Sequence, residues 1–278
     1  MESDRASQVP FVGDDFGEDD AALFDAFVVP SYLSLFAAAA RPLLLVGEAG
    51  RVVHLGCRTG YPDAQWLEDM PSTTGVGVDS VQSFLSIASS RLGSMNMRYV
   101  LGNPARTGLD PQTFSHALSF HPTRNAKGRI ALFAEMGRLL YPGGQALISL
   151  PFGDSFQEVL DLLAEYALKH DDAEIEAAFE SVPLHRGTPH QLMEELKSAG
   201  LSDVGIDIRE EQIPFESGRA FVEDPAVRLL ILPLVAAWLG RTSLPDEARD
   251  YLARAIDKYW SDTAFELKVQ IAAVSARR

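Results

Sequence analysis

Apolar residues in the first half of the chain recur with two periods, one belonging to strands and one to helices. Val52, Val53 and Leu55 form a short β-branched run without helical spacing, and Gly56, Thr59 and Gly60 follow it. The stretch predicts a buried parallel strand entering a glycine loop, where the backbone turns sharply and a ligand comes close. Residues 63–69 begin a returning helix. Residues 75–79, GVGVD, predict a second strand that ends in a carboxylate. Phe84, Leu85, Ile87, Ala88 and Leu92 mark a helical face over 83–92, and 98–101 reads as a third strand stopped by Gly102, Asn103 and Pro104. A fourth strand over 114–120, an amphipathic helix over 130–140 and a fifth strand over 145–150 complete the alternation. Such alternation implies a parallel sheet, whose ligands bind at the carboxyl ends of the strands, where Gly56, Asp79, Asn103 and His121 would cluster.

The second half is richer in helical patterning. Ser155 with Glu158 and Thr188 with Gln191 have capping-box spacing, Pro189 suits a first helical position, and Gly200 suits a terminator. A sixth strand is expected over 201–208. Residues 220–259 are expected to be mostly helical, with breaks at Pro225, Pro233 and Pro245, and 265–274 to form a last strand running antiparallel at the edge. Upstream, Pro30 and Pro42 should divide 21–45 into short helices. The expected division is an acidic tail over 1–20 and one domain over 21–278, with a helical lid or insertion at about 211–262.

Composition narrows the function. Of 278 residues 46% are apolar, enough for one large α/β core, and 24 basic against 39 acidic residues leave a net charge of −15. That charge argues against nucleic acid or an anionic membrane as partner. Glu2, Asp4, Asp14, Asp15, Glu18, Asp19, Asp20 and Asp25 are set against Arg5 alone, so the tail is either a solvating segment or a docking arm for a basic partner. Cys57 is the single cysteine, so neither an internal disulfide nor a multi-cysteine zinc site is available. The acidic start lacks a cationic signal region, and the longest apolar stretch, 229–239, is too short for a bilayer. The expectation is a soluble, cytoplasmic protein without a metal.

The motifs also occur in a telling order. Val52-Val53-His54-Leu55-Gly56-Cys57-Arg58-Thr59-Gly60, then Gly75-Val76-Gly77-Val78-Asp79, Tyr99-Val100-Leu101-Gly102-Asn103-Pro104-Ala105 and Leu140-Tyr141-Pro142-Gly143-Gly144 resemble class I S-adenosylmethionine-dependent methyltransferases. The resemblance runs from roughly residue 25 onward and includes 193–204, MEELKSAGLSDV. It implies an α/β, Rossmann-like seven-stranded sheet in the order 3-2-1-4-5-7-6, the last strand antiparallel, with helices on both faces and a helical insertion. It further implies that S-adenosylmethionine lies across the ends of the first strands, with Gly56 and Gly60 near its methionine part, Asp79 on the ribose hydroxyls, and Asn103, Pro104 and Ala105 beside the adenine.

Four positions depart from the family pattern. His54 stands where an acidic residue engages the cofactor's ammonium end, and a neutral imidazole does not supply that charge. Arg58 replaces the middle glycine, Asn103 replaces an acidic residue near the adenine, and Phe114-Ser115 replaces a Phe-Asp pair. Arg58 either fills the cofactor's space, swings out, or pairs with the cofactor's carboxylate. His121, just past the fourth strand, is the candidate catalytic base or a loop histidine without function. Two readings follow. In the first, a degenerate methyltransferase-fold protein with reduced or lost cofactor binding acts through protein contacts. In the second, an active enzyme methylates a small-molecule acceptor under a lid carrying Trp238, Tyr251 and Trp260.

Overall fold

The computed structural model describes residues 16–47, 50–92, 96–122 and 125–278. Seven strands form one sheet: β1 Arg51–Leu55, β2 Thr74–Asp79, β3 Met97–Leu101, β4 Phe114–Phe120, β5 Leu140–Phe152, β6 Ser202–Phe215 and β7 Phe265–Arg277. Their order is β3-β2-β1-β4-β5-β7-β6. β1 to β5 pair in parallel, while β7 runs antiparallel to both β5 and β6. Neighbouring strand residues feed opposite faces, as strand alternation requires. Val52, Leu118 and Leu147 join a core under the N-terminal and inserted helices; Val53, Ala117 and Ile148 join one under helices Ala126–Leu139 and Pro189–Ser198.

Four expectations need correction. β7 is an interior strand, and β6 is the edge. β6 runs on to Phe215, so the inserted helices begin at Gly218; the charged run after Ile208 reads as loop, but an edge strand with exposed faces tolerates it. Pro30 does not break the N-terminal helix, which is continuous over Glu18–Leu43 because residues Phe24–Leu33 adopt wide π turns around the proline. Ser31 and Ser34 donate to the carbonyls of Phe27 and Pro30 at 2.6 and 2.8 Å. By length and composition this helix could span a bilayer, yet Phe24, Val28, Tyr32, Phe36 and Ala40 are buried in the domain. Finally, the helix starts at Glu18, inside the expected tail, with Glu18, Asp19 and Asp20 in its first turn where the helix dipole favours carboxylates. Tail residues 1–15 lie outside the described residues.

Of the two capping boxes, the one at Thr188 forms on both sides with Gln191. Ser155 instead accepts the Gln270 N–H from β7 at 2.9 Å, and the following helix starts after Phe156, which has φ 61°.

Candidate functional site

The carboxyl ends of β1, β2 and β4 converge as expected. Gly56 has φ 71° and donates its N–H to Val78 O at 2.8 Å, tying the loop to β2, and Gly60 has φ 80°. Arg58 between them also has a positive φ, 48°. It therefore holds the backbone shape that a glycine adopts without cost, although an arginine side chain is attached.

That side chain turns inward. Arg58 is 4% exposed, and its guanidinium donates to the carbonyl oxygens of Phe120, at 2.8 Å, and His121 at the end of β4. Its carbon sits 5.7 Å from the centroid of the Phe24 ring, on the N-terminal helix. Burial lowers the Arg58 pKa to about 10 against the pull of Asp79, so the group remains a cation at neutral pH. Asp79 joins the same network. Its Oδ2 accepts the Arg58 N–H at 2.9 Å and its Oδ1 the Val81 N–H at 3.0 Å. Burial raises the carboxyl's pKa, and these two N–H groups and the Arg58 charge oppose the rise.

His54 faces a partner that its position alone does not reveal. Its Nδ1 lies 2.7 Å from Asp63 Oδ1 on helix Asp63–Asp69, with both side chains 2% exposed, and Tyr99 OH donates to Asp63 Oδ2 at 2.9 Å. Gly77 makes room for this bridge across β2: a Cβ there would stand 2.4 Å from Tyr99 Cδ1 and 2.8 Å from Cys57 Sγ. The structure thus supplies a carboxylate close to where the family has one, through Asp63 nine residues downstream of His54.

His121 is fully buried, with φ 50°, and its Nε2 is 3.1 Å from Tyr32 OH. Burial, with the neighbouring Arg58 charge, lowers its pKa to about 3. A group so placed has no access to solvent and little basicity. Phe36 packs edge-on to it at 4.9 Å, and Trp66 stacks on Phe120 at 5.4 Å. Phe24, Tyr32, Phe36, Asp63 and Trp66 shape the site with Tyr99, yet no motif marks these five. Their only signal in sequence is the apolar spacing of the N-terminal helix and the odd histidine that needs a partner.

Asn103, Pro104 and Ala105 form the turn after β3, where Asn103 Oδ1 accepts the Ala105 N–H at 2.8 Å, leaving this end half-buried. Ser115 lies at the far end of β4 and exchanges hydrogen bonds with the backbone of Arg51 at 3.0 and 2.9 Å. The three aromatic residues of the expected lid pack against the domain: Trp238 lies 5.9 Å from Phe156, Tyr251 lies 5.6 Å from Tyr166, and Trp260 lies 4.9 Å from Phe265.

The cofactor implied by the resemblance would bring an ammonium and a sulfonium to the glycine loop and two hydroxyls to Asp79. In this arrangement the residues do not fit it. A buried cation already stands at the loop, where the cofactor's own positive charges would have to lie.

Residues 52–144 match the methyltransferase domain family. No curated protein sequence matches the chain. Among solved structures, a putative methyltransferase from Bacillus halodurans aligns over 89% of this chain and 98% of its own, with TM-score 0.55 and 14% identity. Haemonchus contortus phosphoethanolamine N-methyltransferase 2, in complex with phosphomonomethylethanolamine and S-adenosylhomocysteine, aligns over 96% of this chain and 60% of its own, with TM-score 0.58 and 16% identity. A chain of the complex between the Haloferax volcanii Trm112 methyltransferase activator and the putative methyltransferase aligns over 97% of this chain and 99% of its own, with TM-score 0.53 and 16% identity. At such identities the likeness is one of fold.

Proposed function

Since this chain has the class I S-adenosylmethionine-dependent methyltransferase fold, we propose that it is a member whose cofactor cleft is closed by its own side chains and which works by contact with another protein. The observation that carries this reading is the Arg58 guanidinium, buried between the end of β4 and Phe24. A sulfonium brought beside it would meet a like charge at low dielectric, and the N-terminal helix would have to lift to admit an adenosyl ligand. A His121 without basicity agrees with a protein that does not deprotonate an acceptor. Titration calorimetry with S-adenosylmethionine and with S-adenosylhomocysteine tests the reading: no binding is expected, and micromolar affinity for either overturns it. The partner is proposed to be basic and to engage the acidic residues 1–15. A pull-down should lose it when those residues are deleted, and unchanged capture would return the tail to a solvating role.

One observation favours the alternative of an active enzyme on a small-molecule acceptor. Thr59 Oγ1, Trp66 Nε1, His121 Nδ1 and Ser149 Oγ are buried without a hydrogen-bond partner among the described residues. Unpaired polar atoms at one end of the sheet are what an opened, ligand-filled cleft would satisfy. On that reading Arg58 swings out and His121 becomes a base only after Tyr32 moves away.

A further inference from the structure

β6 is the outermost strand of the sheet and fourteen residues long. Which of its backbone groups are free follows from β7. Gln270 donates its N–H to Ser155 Oγ at 2.9 Å, Phe156 donates to Lys268 O at 2.9 Å, and Arg278 donates to Gly144 O at 3.0 Å, all on the β5 side. Even-numbered residues of β7 therefore face β5, and odd-numbered ones face β6. The β6–β7 register pairs Gly205 with Ser275, Asp207 with Ala273, Arg209 with Ile271 and Glu211 with Val269. From Gly205 onward the odd residues of β6 thus carry the ladder, and the N–H and C=O groups of Ile206, Ile208, Glu210 and Gln212 point away from the molecule. Pro214 agrees with this parity, because an even position there forfeits no ladder bond for its missing N–H. No other described residue bonds to these outward groups.

We propose that this edge pairs antiparallel with β6 of a second copy about a twofold axis through Ile208. The axis must pass through a residue, so that even positions meet even ones, and an axis through Asp207 or Arg209 would set that charge against its own copy. Centred on Ile208, Ile206 lies opposite the partner's Glu210 and Ile208 opposite the partner's Ile208, giving about six inter-chain hydrogen bonds within the regular part of the strand. Asp207 then lies opposite the partner's Arg209, and Arg209 opposite the partner's Asp207. These two side chains are 47% and 42% exposed and already paired within the strand at 3.2 Å. Ile208, 45% exposed, meets its own copy. Neighbouring registers are worse. An axis at Glu210 sets that carboxylate against itself, and an axis at Ile206 draws the ladder into the irregular pairing at Ser202–Gly205, where Asp203 has φ 49°. In a chain of net charge −15, the register through Ile208 gives each charged residue facing another an opposite sign.

Sedimentation velocity of the full chain over a range of concentrations tests the pairing, with melting temperatures as the folding control. The wild type should form a dimer. Asp207→Arg should weaken it about tenfold by placing arginine opposite arginine, and Asp207→Arg with Arg209→Asp should restore it, because the double swap returns opposite charges to each contact. Ile208→Lys should give monomers that still unfold cooperatively, with a melting temperature matching that of the wild type diluted to monomer. A wild type that stays monomeric at all concentrations, or a dimer indifferent to the single reversal or not rescued by the swap, overturns the proposal. None of these outcomes depends on whether the cofactor cleft is open.

Discussion

Acidification from pH 7 to pH 5 should destabilise the protein through His121, and the loss can be sized. In the unfolded chain the imidazole protonates near its ordinary value of about 6.5. In the fold, burial beside Arg58 delays this to about 3. Between those values the unfolded state holds more protons, so stability is fully present above about pH 6.5 and is lost as pH falls towards 3. Over the two pH units chosen, the loss from this one group is about 2 kcal/mol. His121→Asn removes the titration while keeping a side chain that tolerates the positive φ of 50°. The variant forfeits the contact with Tyr32 OH, which lowers its stability by a similar amount at both pH values, so the slope is the quantity to read. Urea unfolding followed by tryptophan fluorescence should show the wild type losing about 2 kcal/mol more than the variant between the two conditions. Parallel losses would refute the claim that this imidazole is held neutral in the core.

The remaining predictions concern the walls of the site and its supports. His54→Asp, the change that would reinstate the family's acidic residue, should destabilise by about 3–5 kcal/mol, because it sets a second buried carboxylate beside Asp63. Adding Asp63→Asn should recover most of that in chemical denaturation, and no recovery would separate the two residues. Gly77→Ala should cost about 1–3 kcal/mol in the same assay, since the new methyl group meets the Tyr99 ring and Cys57 Sγ. Thr188→Ala should cost about 1 kcal/mol by opening the capping box, and a neutral result would mean that the helix end is held by packing alone.

Periodicity carried the fold a long way, and the reasons for its failures are specific. Apolar runs and glycine turns locate β1, β2, β4 and β5 because those strands are largely buried on both faces and have little choice of residue, while the edge strand β3 is located by its Gly102-Asn103-Pro104 stop. An exposed edge admits Asp207, Arg209, Glu210 and Glu211, which look like loop, so the pattern alone ends β6 at Ile208. Pro30 looked like a breaker because sequence rules assume α geometry, whereas the π turns of Phe24–Leu33 absorb the proline. At the site, the loop and Asp79 were legible as spacing. The use made of them was not: whether Arg58 points to solvent or into the cleft depends on Phe24, 34 residues upstream, and on carbonyls more than 60 residues downstream. The partner of His54 was likewise hidden, because Asp63 reads as an ordinary first-turn helix acid.

The central claim is that the Arg58 side chain occupies the space a cofactor would need. Calorimetric titration of S-adenosylhomocysteine into the wild type and into Arg58→Gly tests it most directly. Glycine suits the positive φ of 48° at that position, so the variant keeps the loop while removing the cation. The account predicts no binding to the wild type and recovered micromolar affinity in Arg58→Gly. Micromolar binding to the wild type, or a folded Arg58→Gly variant that still does not bind, would contradict it.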